Sequence, residues 1–216
     1  MAEQRKKVKK SAAIILFPSF GRWLPGGFSG SFEIGSAMKP NDNPISDTYD
    51  LEVLSTMRRY QDWTVSFFRS YLVGDAMEIG AGIGNIANHI TPLVSTLSLV
   101  EPSSTLITGL REKFAVRECR RILRPGGHLL ILVPGLSFLY SKLDALAGHY
   151  CRYGSEELTV RIIDAGFRLE KQCYFDTLGI VPWWVLNIIG GATAFNPTLV
   201  NLYDRLFVPI SQWLES

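Results

Sequence analysis

The sequence predicts an α/β fold in which helices cover both faces of a parallel sheet. Between residues 75 and 134, short apolar runs that suit buried strands alternate with longer segments of helical character. Parallel neighbours need helical crossovers, so this alternation is typical of a three-layer α/β/α arrangement. A glycine-rich turn also follows the first of these strands, at the place where such sheets bind ligands.

The predicted elements follow one another without an internal repeat. A helix is expected from Asp50 to Leu72, because Leu51, Leu54, Met57 and Tyr60 recur at three-residue steps. The later elements are the strand "AMEI", the helix "NIANHITPLV", the strand "TLSLV", the helix "SSTLITGLREKFAVRECRRIL" with a serine cap, and the strand "HLLILVP".

Composition sets broad limits on function. The chain has 216 residues, 47% of them apolar and 12% aromatic, as expected for one globular domain with a buried core. A net charge of +2 gives no field that favours nucleic acid, so we expect no nucleic-acid partner. Cys119, Cys151 and Cys173 are an odd set without C-x-x-C spacing, which argues against a disulfide framework and against a metal site. A cytoplasmic location is the simplest expectation.

Residues 1–48 are predicted to be a basic, flexible tail and linker that precedes a domain at 49–216. They mix basic residues with glycine and proline and show no sustained period. A basic run before "AAIILF" is also typical of a signal peptide. That apolar run is short, Pro18 follows at once, and no cleavage site is visible, so secretion is not the favoured interpretation.

The turn in "AMEIGAGIGN" carries glycines at alternate positions, Gly80, Gly82 and Gly84. The dinucleotide fingerprint G-x-G-x-x-G needs its third glycine at the next position, where Asn85 stands. A nicotinamide-dependent reductase is therefore the weaker enzyme hypothesis. A further alternative is that a bare G-x-G pair only forms a tight turn between strand and helix and binds no ligand.

This stretch resembles the first motif of class I S-adenosylmethionine-dependent methyltransferases, E-x-G-x-G-x-G, which begins here at Glu78. The resemblance implies a Rossmann-like sheet, S-adenosyl-L-methionine as the cofactor, and methyl transfer as the reaction. Glu101, after the second strand, would accept hydrogen bonds from both ribose hydroxyls. The cofactor-binding residues implied in this way are Glu78, Gly80, Ala81, Gly82, Gly84, Glu101 and Pro102.

A second landmark supports the resemblance and exposes a gap. The segment "RRILRPGGHLLILVP", with Arg121 and Pro125, is similar to the family's turn before the fifth strand. The stretch from Gly84 to Gly126 is too short for two more strand and helix units, so the third and fourth strands are expected to be missing. The family's sheet order is 3-2-1-4-5-7-6. We therefore expect a shortened sheet in which the first and fifth strands pair directly.

A further likeness concerns "FLYSKLDALAGHYCRYGSEELTVRIIDAGF". A bacterial subgroup of the family has G-H-x-R-R-Y here, and this chain keeps Gly148, His149, Arg152 and Tyr153 but has Cys151 in place of an arginine. His149 and Tyr153 are the candidate catalytic residues, as a base or as groups that orient a nucleophile. The alternative is that His149 caps the loop. Methyl transfer needs little beyond alignment of the reacting atoms.

Residues 177–214 form an apolar, aromatic C-terminal segment, with no charged residue from Thr177 to Tyr203. We favour a substrate lid or a core-packing segment, because Pro182 and the pair Gly190 and Gly191 interrupt the run. The alternatives are peripheral membrane contact through 177–203 and a full membrane span. Membrane association would suit a lipid-linked acceptor.

The function predicted from these features is methyl transfer from S-adenosylmethionine to an unidentified small-molecule or lipid-linked acceptor. The missing strands would also remove the family's adenine contact and the motif that faces the methyl group. The alternative from another class is a non-catalytic methyltransferase-like remnant that works as a binding or assembly module. Affinity for the cofactor discriminates between these hypotheses.

Overall fold

The structure, a computed structural model, describes residues 14–16, 50–100, 111–146, 149 and 151–216. The strands are β1 (Ile14–Leu16), β2 (Asp75–Ile79), β3 (Thr96–Val100) and β4 (Leu129–Ile131). The helices are α1 (Arg58–Ser66), α2 (Ala87–Ile90), α3 (Arg111–Ile122), α4 (Lys142–Leu146), α5 (Ser155–Asp164), α6 (Ile180–Trp183), α7 (Pro197–Leu202) and α8 (Val208–Leu214). Segments Trp184–Ile189 and Tyr203–Phe207 are π-helical, and Arg69–Tyr71, Thr91–Leu93, Ser137–Leu139 and Thr177–Gly179 are 3₁₀ turns.

The described strands form one parallel sheet in the order β3-β2-β1-β4. Ile15 of β1 lies opposite Glu78 of β2 on one side and Leu130 of β4 on the other. β2 and β3 pair from Asp75 opposite Thr96 to the ends of both strands. Because the strands are parallel, all carboxyl ends lie at one edge, and the turns after β2 and β4 flank the end of β1.

The expected direct pairing of the first and fifth strands is wrong, because β1 lies between them. β1 also belongs to the segment that was predicted to be an irregular tail. A strand with parallel neighbours on both sides needs only a short, continuous apolar run, and a run as short as "AAIILF" shows no period. β1 therefore takes the place that the resemblance assigns to the missing fourth strand. Residues 1–13 and 17–49 lie outside the described residues, so the domain boundary at 48 stays a prediction.

Helices cover both faces of this sheet. On one face, Val65 of α1 and Ile90 of α2 form a cluster with Leu130 of β4. On the other face, Cys119 of α3 packs against Met77 of β2 and its neighbours. The predicted α/β fold, with helices packed against a small parallel sheet, is thus present in the described part of the chain. A fold of this class hosts many functions, so it does not by itself identify a family.

The predicted helix from Asp50 to Leu72 is interrupted. Residues 50–54 are helical, and the chain turns before α1 begins. The Ser55 and Thr56 hydroxyls donate to the carbonyls of Glu52 and Val53 at 2.6 and 2.7 Å. Such side-chain bonds compete with the helical backbone pattern, which explains why the periodicity continues although the helix does not.

The helix after the glycine turn and strand β4 are shorter than predicted. The helix after the glycine turn is regular only in α2, because Pro92 lacks the N–H that would continue it. The landmark at Pro125 is in its expected place, between the end of α3 and the start of β4. The serine cap expected before α3 lies outside the described residues.

The C-terminal segment is a chain of short helices that folds back onto the first helical residues. Val200 of α7 packs with Val53 and Met57. Asp204, which is 5% exposed, accepts hydrogen bonds from the backbone N–H groups of Arg59 and Tyr60 at 3.4 and 2.9 Å. Asp204 therefore caps α1 from a distant part of the chain. Across the described residues, no helix combines the length and the apolar character that crossing a bilayer requires.

Replacing Ile15 by proline tests the central position of β1. In a strand with neighbours on both sides each backbone N–H donates to the ladder, and an unmade buried hydrogen bond costs about 1–3 kcal/mol. We expect Ile15→Pro to lower the free energy of unfolding by at least that amount, as measured by urea denaturation. The control Ile15→Val keeps the donor and should unfold close to the original midpoint; equal stability of both variants would contradict the position of β1.

Candidate functional site

The glycine turn joins the carboxyl end of β2 to the start of α2. The backbone N–H of Gly80 donates to the carbonyl of Val100 at 2.8 Å, which ties the turn to the end of β3. Gly82 and Gly84 have φ values of 52° and 84°. Other residues adopt this left-handed region at a cost of about 1–2 kcal/mol. The backbone conformation alone therefore favours glycine at these two positions, whether or not a ligand binds there.

The turn opens onto a cleft of about 1920 Å³. Glu78, Gly80, Ala81 and Gly82 line it, and the Glu78 side chain is 1% exposed. A Cβ added at Gly82 would lie 3.5 Å from Leu51 Cδ1, so the helical residues 50–54 pack against the turn. The predicted residues before and within the turn are thus brought together at one cleft, while Gly84 directs the chain into α2.

Part of the predicted cofactor site cannot be placed. Glu101 and Pro102, which would follow β3 directly, lie outside the described residues, as does Gly148. β3 ends at Val100, so the strand end that the resemblance requires is present. The roles of Glu101 and Pro102 stay predictions.

The two predicted catalytic residues line the same cleft as the glycine turn. Tyr153 is 6% exposed, and its backbone N–H donates to the carbonyl of Pro134 at 2.9 Å, beyond the end of β4. The backbone N–H of His149 donates to Asp144 at 2.8 Å, and its carbonyl accepts from the Tyr140 hydroxyl at 2.8 Å. These backbone bonds agree with the structural alternative that His149 caps the loop. Its catalytic role stays a prediction.

A buried ion pair holds residues 151–153 against the sheet edge. The Asp144 and Arg152 side chains are 2% and 9% exposed and meet at 3.0 Å. The Asp144 carboxylate also accepts from the backbone N–H and hydroxyl of Ser141, at 2.8 and 2.9 Å. The Arg152 guanidinium lies 4.4 Å from the centre of the Trp183 ring. Arg152 was noted in the sequence only as part of a motif, because nothing in "SKLDAL" marks Asp144 as its partner.

A second polar cluster on the cleft was missed entirely. Asp176 has a left-handed φ of 60°, and its carboxylate accepts hydrogen bonds from the hydroxyls of Tyr203 and, at 3.4 Å, Ser211. Burial raises the pKa of the Asp176 carboxyl above its usual range, although the two hydroxyls oppose the shift. Burial, together with Asp176, raises the pKa of the Tyr203 phenol. A carboxyl that holds its proton more readily than usual is suited to acid–base work, and no local sequence pattern announces it.

Aromatic side chains connect α1 with the irregular segment before residue 177. The Phe175 ring centre lies 5.7 Å from that of Tyr60, 5.2 Å from that of Trp63 and 5.2 Å from that of Phe67. Trp63 is 7% exposed and packs edge-on against Phe175, whereas Tyr60 and Phe67 line the cleft. Burial also raises the pKa of the Tyr60 phenol. The cleft is thus bounded by backbone on one side and by aromatic rings on another.

Comparison with known proteins adds no assignment. No protein-family model matches the chain, and no curated protein matches it. Within the described ranges, no three His, Cys, Asp or Glu side chains come together as a metal site. The features of the chain that bear on function are therefore the motif, its place in the sheet and the chemistry of the cleft.

Removing the Asp144 charge tests the buried ion pair. Asp144→Asn leaves the Arg152 guanidinium buried without a counter-charge, which typically costs about 3–5 kcal/mol. We expect a loss of that size in urea denaturation. The double variant Asp144→Asn, Arg152→Met removes both charges and should recover much of the loss; a single variant as stable as the original chain would contradict the pair.

The pH dependence of stability tests the environment of Asp176. Because its folded pKa is raised, the carboxyl contributes stability that is fully present below the unfolded pKa and is lost as pH rises through the folded pKa. Asn does not titrate. We expect the stability of Asp176→Asn relative to the original chain to increase as pH rises from about 4 towards neutrality. Asp164→Asn, at an exposed position, controls for the loss of one charge; a difference that does not vary with pH would contradict the assignment.

Proposed function

We propose that this chain binds S-adenosylmethionine at the turn after β2 and transfers its methyl group to a small-molecule or lipid-linked acceptor. One observation carries the proposal: the motif from Glu78 to Gly84 begins at the end of a strand of a parallel sheet and opens onto a large cleft at the carboxyl edge. That edge is where open α/β sheets bind their ligands. A motif match alone would be weak, and its structural context is what strengthens it.

The turn suits a flat ligand with little phosphate-like charge. Gly80 and Gly82 present bare backbone to the cleft, and Ala81 adds only a methyl group. Glu78 places a carboxylate beside them, where an amino group or a hydroxyl would find an acceptor. When bound there, the cofactor would supply a methyl carbon that is activated by a positively charged sulfur. The chain's own contribution is to hold this carbon and the acceptor in line within a cleft walled by aromatic rings.

Proton removal from the acceptor has three candidate residues in the cleft. His149 and Tyr153 are those that the sequence suggests, and Asp176 joins them because its carboxyl lies on the same cleft. The Tyr153 backbone is bonded to Pro134, beyond the end of β4, whereas Asp176 is held by hydroxyl donors from the C-terminal helices. We favour Asp176 as the proton acceptor, since His149 has a sufficient structural role in closing its loop.

A binding or assembly module is the second candidate function. Its supporting observation is the exposed apolar surface of the C-terminal helices, where Ile189 is 63% and Trp213 76% exposed. Large exposed apolar surfaces mark interaction sites on soluble domains. Such a module would not need the cofactor, so binding of S-adenosylhomocysteine, the demethylated product, separates the two functions.

Replacing Gly82 by arginine tests the proposed cofactor site. A long side chain at this position would occupy cleft space beside the turn, so Gly82→Arg should abolish the thermal stabilisation that S-adenosylhomocysteine gives. Gly191→Arg is a matched control, because its φ of 61° imposes similar backbone strain, open space surrounds its added Cβ, and it does not line the cleft. We expect the control to keep the stabilisation. Intact stabilisation in Gly82→Arg would remove the turn from the site.

A further inference from the structure

We propose that the methyl acceptor is an amphiphile whose hydrocarbon chain lies along an apolar wall of the cleft, an inference that rests on the proposed function. The apolar wall consists of Leu186, Leu199, Leu202 and Phe207, all from the C-terminal helices. The polar end of the acceptor, which carries the atom to be methylated, would point towards the glycine turn. The proposal thus selects the lipid-linked acceptor over the small polar one.

The size of the cleft is the first reason. Pockets for drug-sized ligands and cofactors have volumes of about 300–1,000 Å³. This cleft has about 1920 Å³, which is roughly twice the upper end of that range. One nucleoside cofactor therefore leaves room for a second ligand of similar size, and the remaining surface includes the apolar wall.

Continuity between the inside and the outside of the cleft is the second reason. The four residues of the apolar wall line the cleft and yet have exposed fractions from 40% to 46%. On the same helical segments, Val185, Ile189 and Leu206 do not line the cleft and are 46%, 63% and 54% exposed. Apolar side chains thus occur both on the outer face of these helices and in the cleft, and the stretch from Thr177 to Tyr203, which holds Leu186, Leu199 and Leu202, contains no charged residue. A hydrocarbon chain that lies on such a surface removes apolar area from water, which is favourable, whereas a polar ligand would not gain in this way.

Three polar side chains that line the cleft beside the apolar wall already have hydrogen-bond partners, which is the third reason. Trp183 Nε1 donates to the carbonyl of Leu139 at 3.0 Å, and Asn187 Nδ2 donates to the carbonyl of Trp183 at 3.2 Å. The Tyr203 hydroxyl donates to Asp176. These hydrogen bonds are all made within the protein, so this side of the cleft offers a ligand mainly apolar contacts. A ligand that relied on hydrogen bonds here would have to break existing ones.

Tryptophan quenching by 9,10-dibromostearic acid, used below its critical micelle concentration, locates the bound hydrocarbon chain. Bromine quenches tryptophan on contact, and Trp183 lines the cleft whereas Trp184 and Trp213 are on the outside. We expect saturable quenching that persists in the double variant Trp184→Phe, Trp213→Phe and falls when Trp183 is also replaced by Phe. Quenching that disappears in the double variant would overturn the proposal, because the chain would then contact only the outer face.

A matched pair of charge variants tests the apolar wall itself. Leu186 and Val185 are neighbours with similar exposed fractions, 42% and 46%, but only Leu186 lines the cleft. Leu186→Glu should weaken dibromostearate binding at least tenfold, and Val185→Glu should leave it within twofold. Equal weakening in both variants would show adsorption to the outer surface and would contradict the proposal. Affinity should also rise about fourfold for each methylene as the saturated chain is lengthened from eight to twelve carbons.

Failure of this inference is distinguishable from failure of the proposed function. The quenching assay contains no cofactor, and S-adenosylhomocysteine binding is measured separately. Binding of S-adenosylhomocysteine without saturable dibromostearate binding would overturn the lipid-chain inference and leave methyl transfer in place. Dibromostearate binding without S-adenosylhomocysteine binding would support the apolar wall as a chain site and contradict methyl transfer.

Discussion

The pairing of β1 with both β2 and β4 is the constraint on which the rest of the structure depends. Without a strand between them, β2 and β4 would have unmade backbone hydrogen bonds in the centre of the sheet, at a cost that a marginally stable domain does not tolerate. β1 also sets the distance between the turn after β2 and the segment after β4. The turn after β2 is the glycine turn, and the segment after β4 holds Tyr153 through a backbone hydrogen bond to Pro134. The width of the cleft therefore follows from the presence of β1.

The other side of the cleft depends on how the C-terminal helices are attached. Asp204 caps α1, and Asp176 joins Tyr203 and Ser211, so the attachment is made by buried polar contacts rather than by apolar packing alone. This arrangement leaves many apolar side chains of the same helices exposed. Apolar packing therefore does not explain the composition of the segment fully, and the proposed binding of an apolar ligand would account for what remains.

Local features of the sequence were predictable, and contacts between distant residues were not. The glycine turn, β2 and β3 were found because a strand, a turn and the next strand leave marks within a few residues of each other. β1 was missed because its strand character depends on neighbours more than fifty residues away in the sequence. The pair of Asp144 and Arg152 and the contact of Asp176 with Tyr203 were missed for the same reason, since a carboxylate in the sequence does not show which donor the fold will bring to it. The resemblance supplied the cofactor hypothesis, whereas the position it assigns to the missing fourth strand is taken by β1, which comes from the N-terminal part of the sequence.

Calorimetric titration of the unmodified chain with S-adenosylhomocysteine tests the central claim most directly, because it needs no knowledge of the acceptor. The account predicts saturable binding to one site with micromolar affinity, which corresponds to about −8 kcal/mol, and no comparable binding of a nicotinamide dinucleotide. A folded sample that shows no heat of binding with S-adenosylhomocysteine, or that binds the dinucleotide instead, would contradict the assignment of the glycine turn as a methyl-donor site.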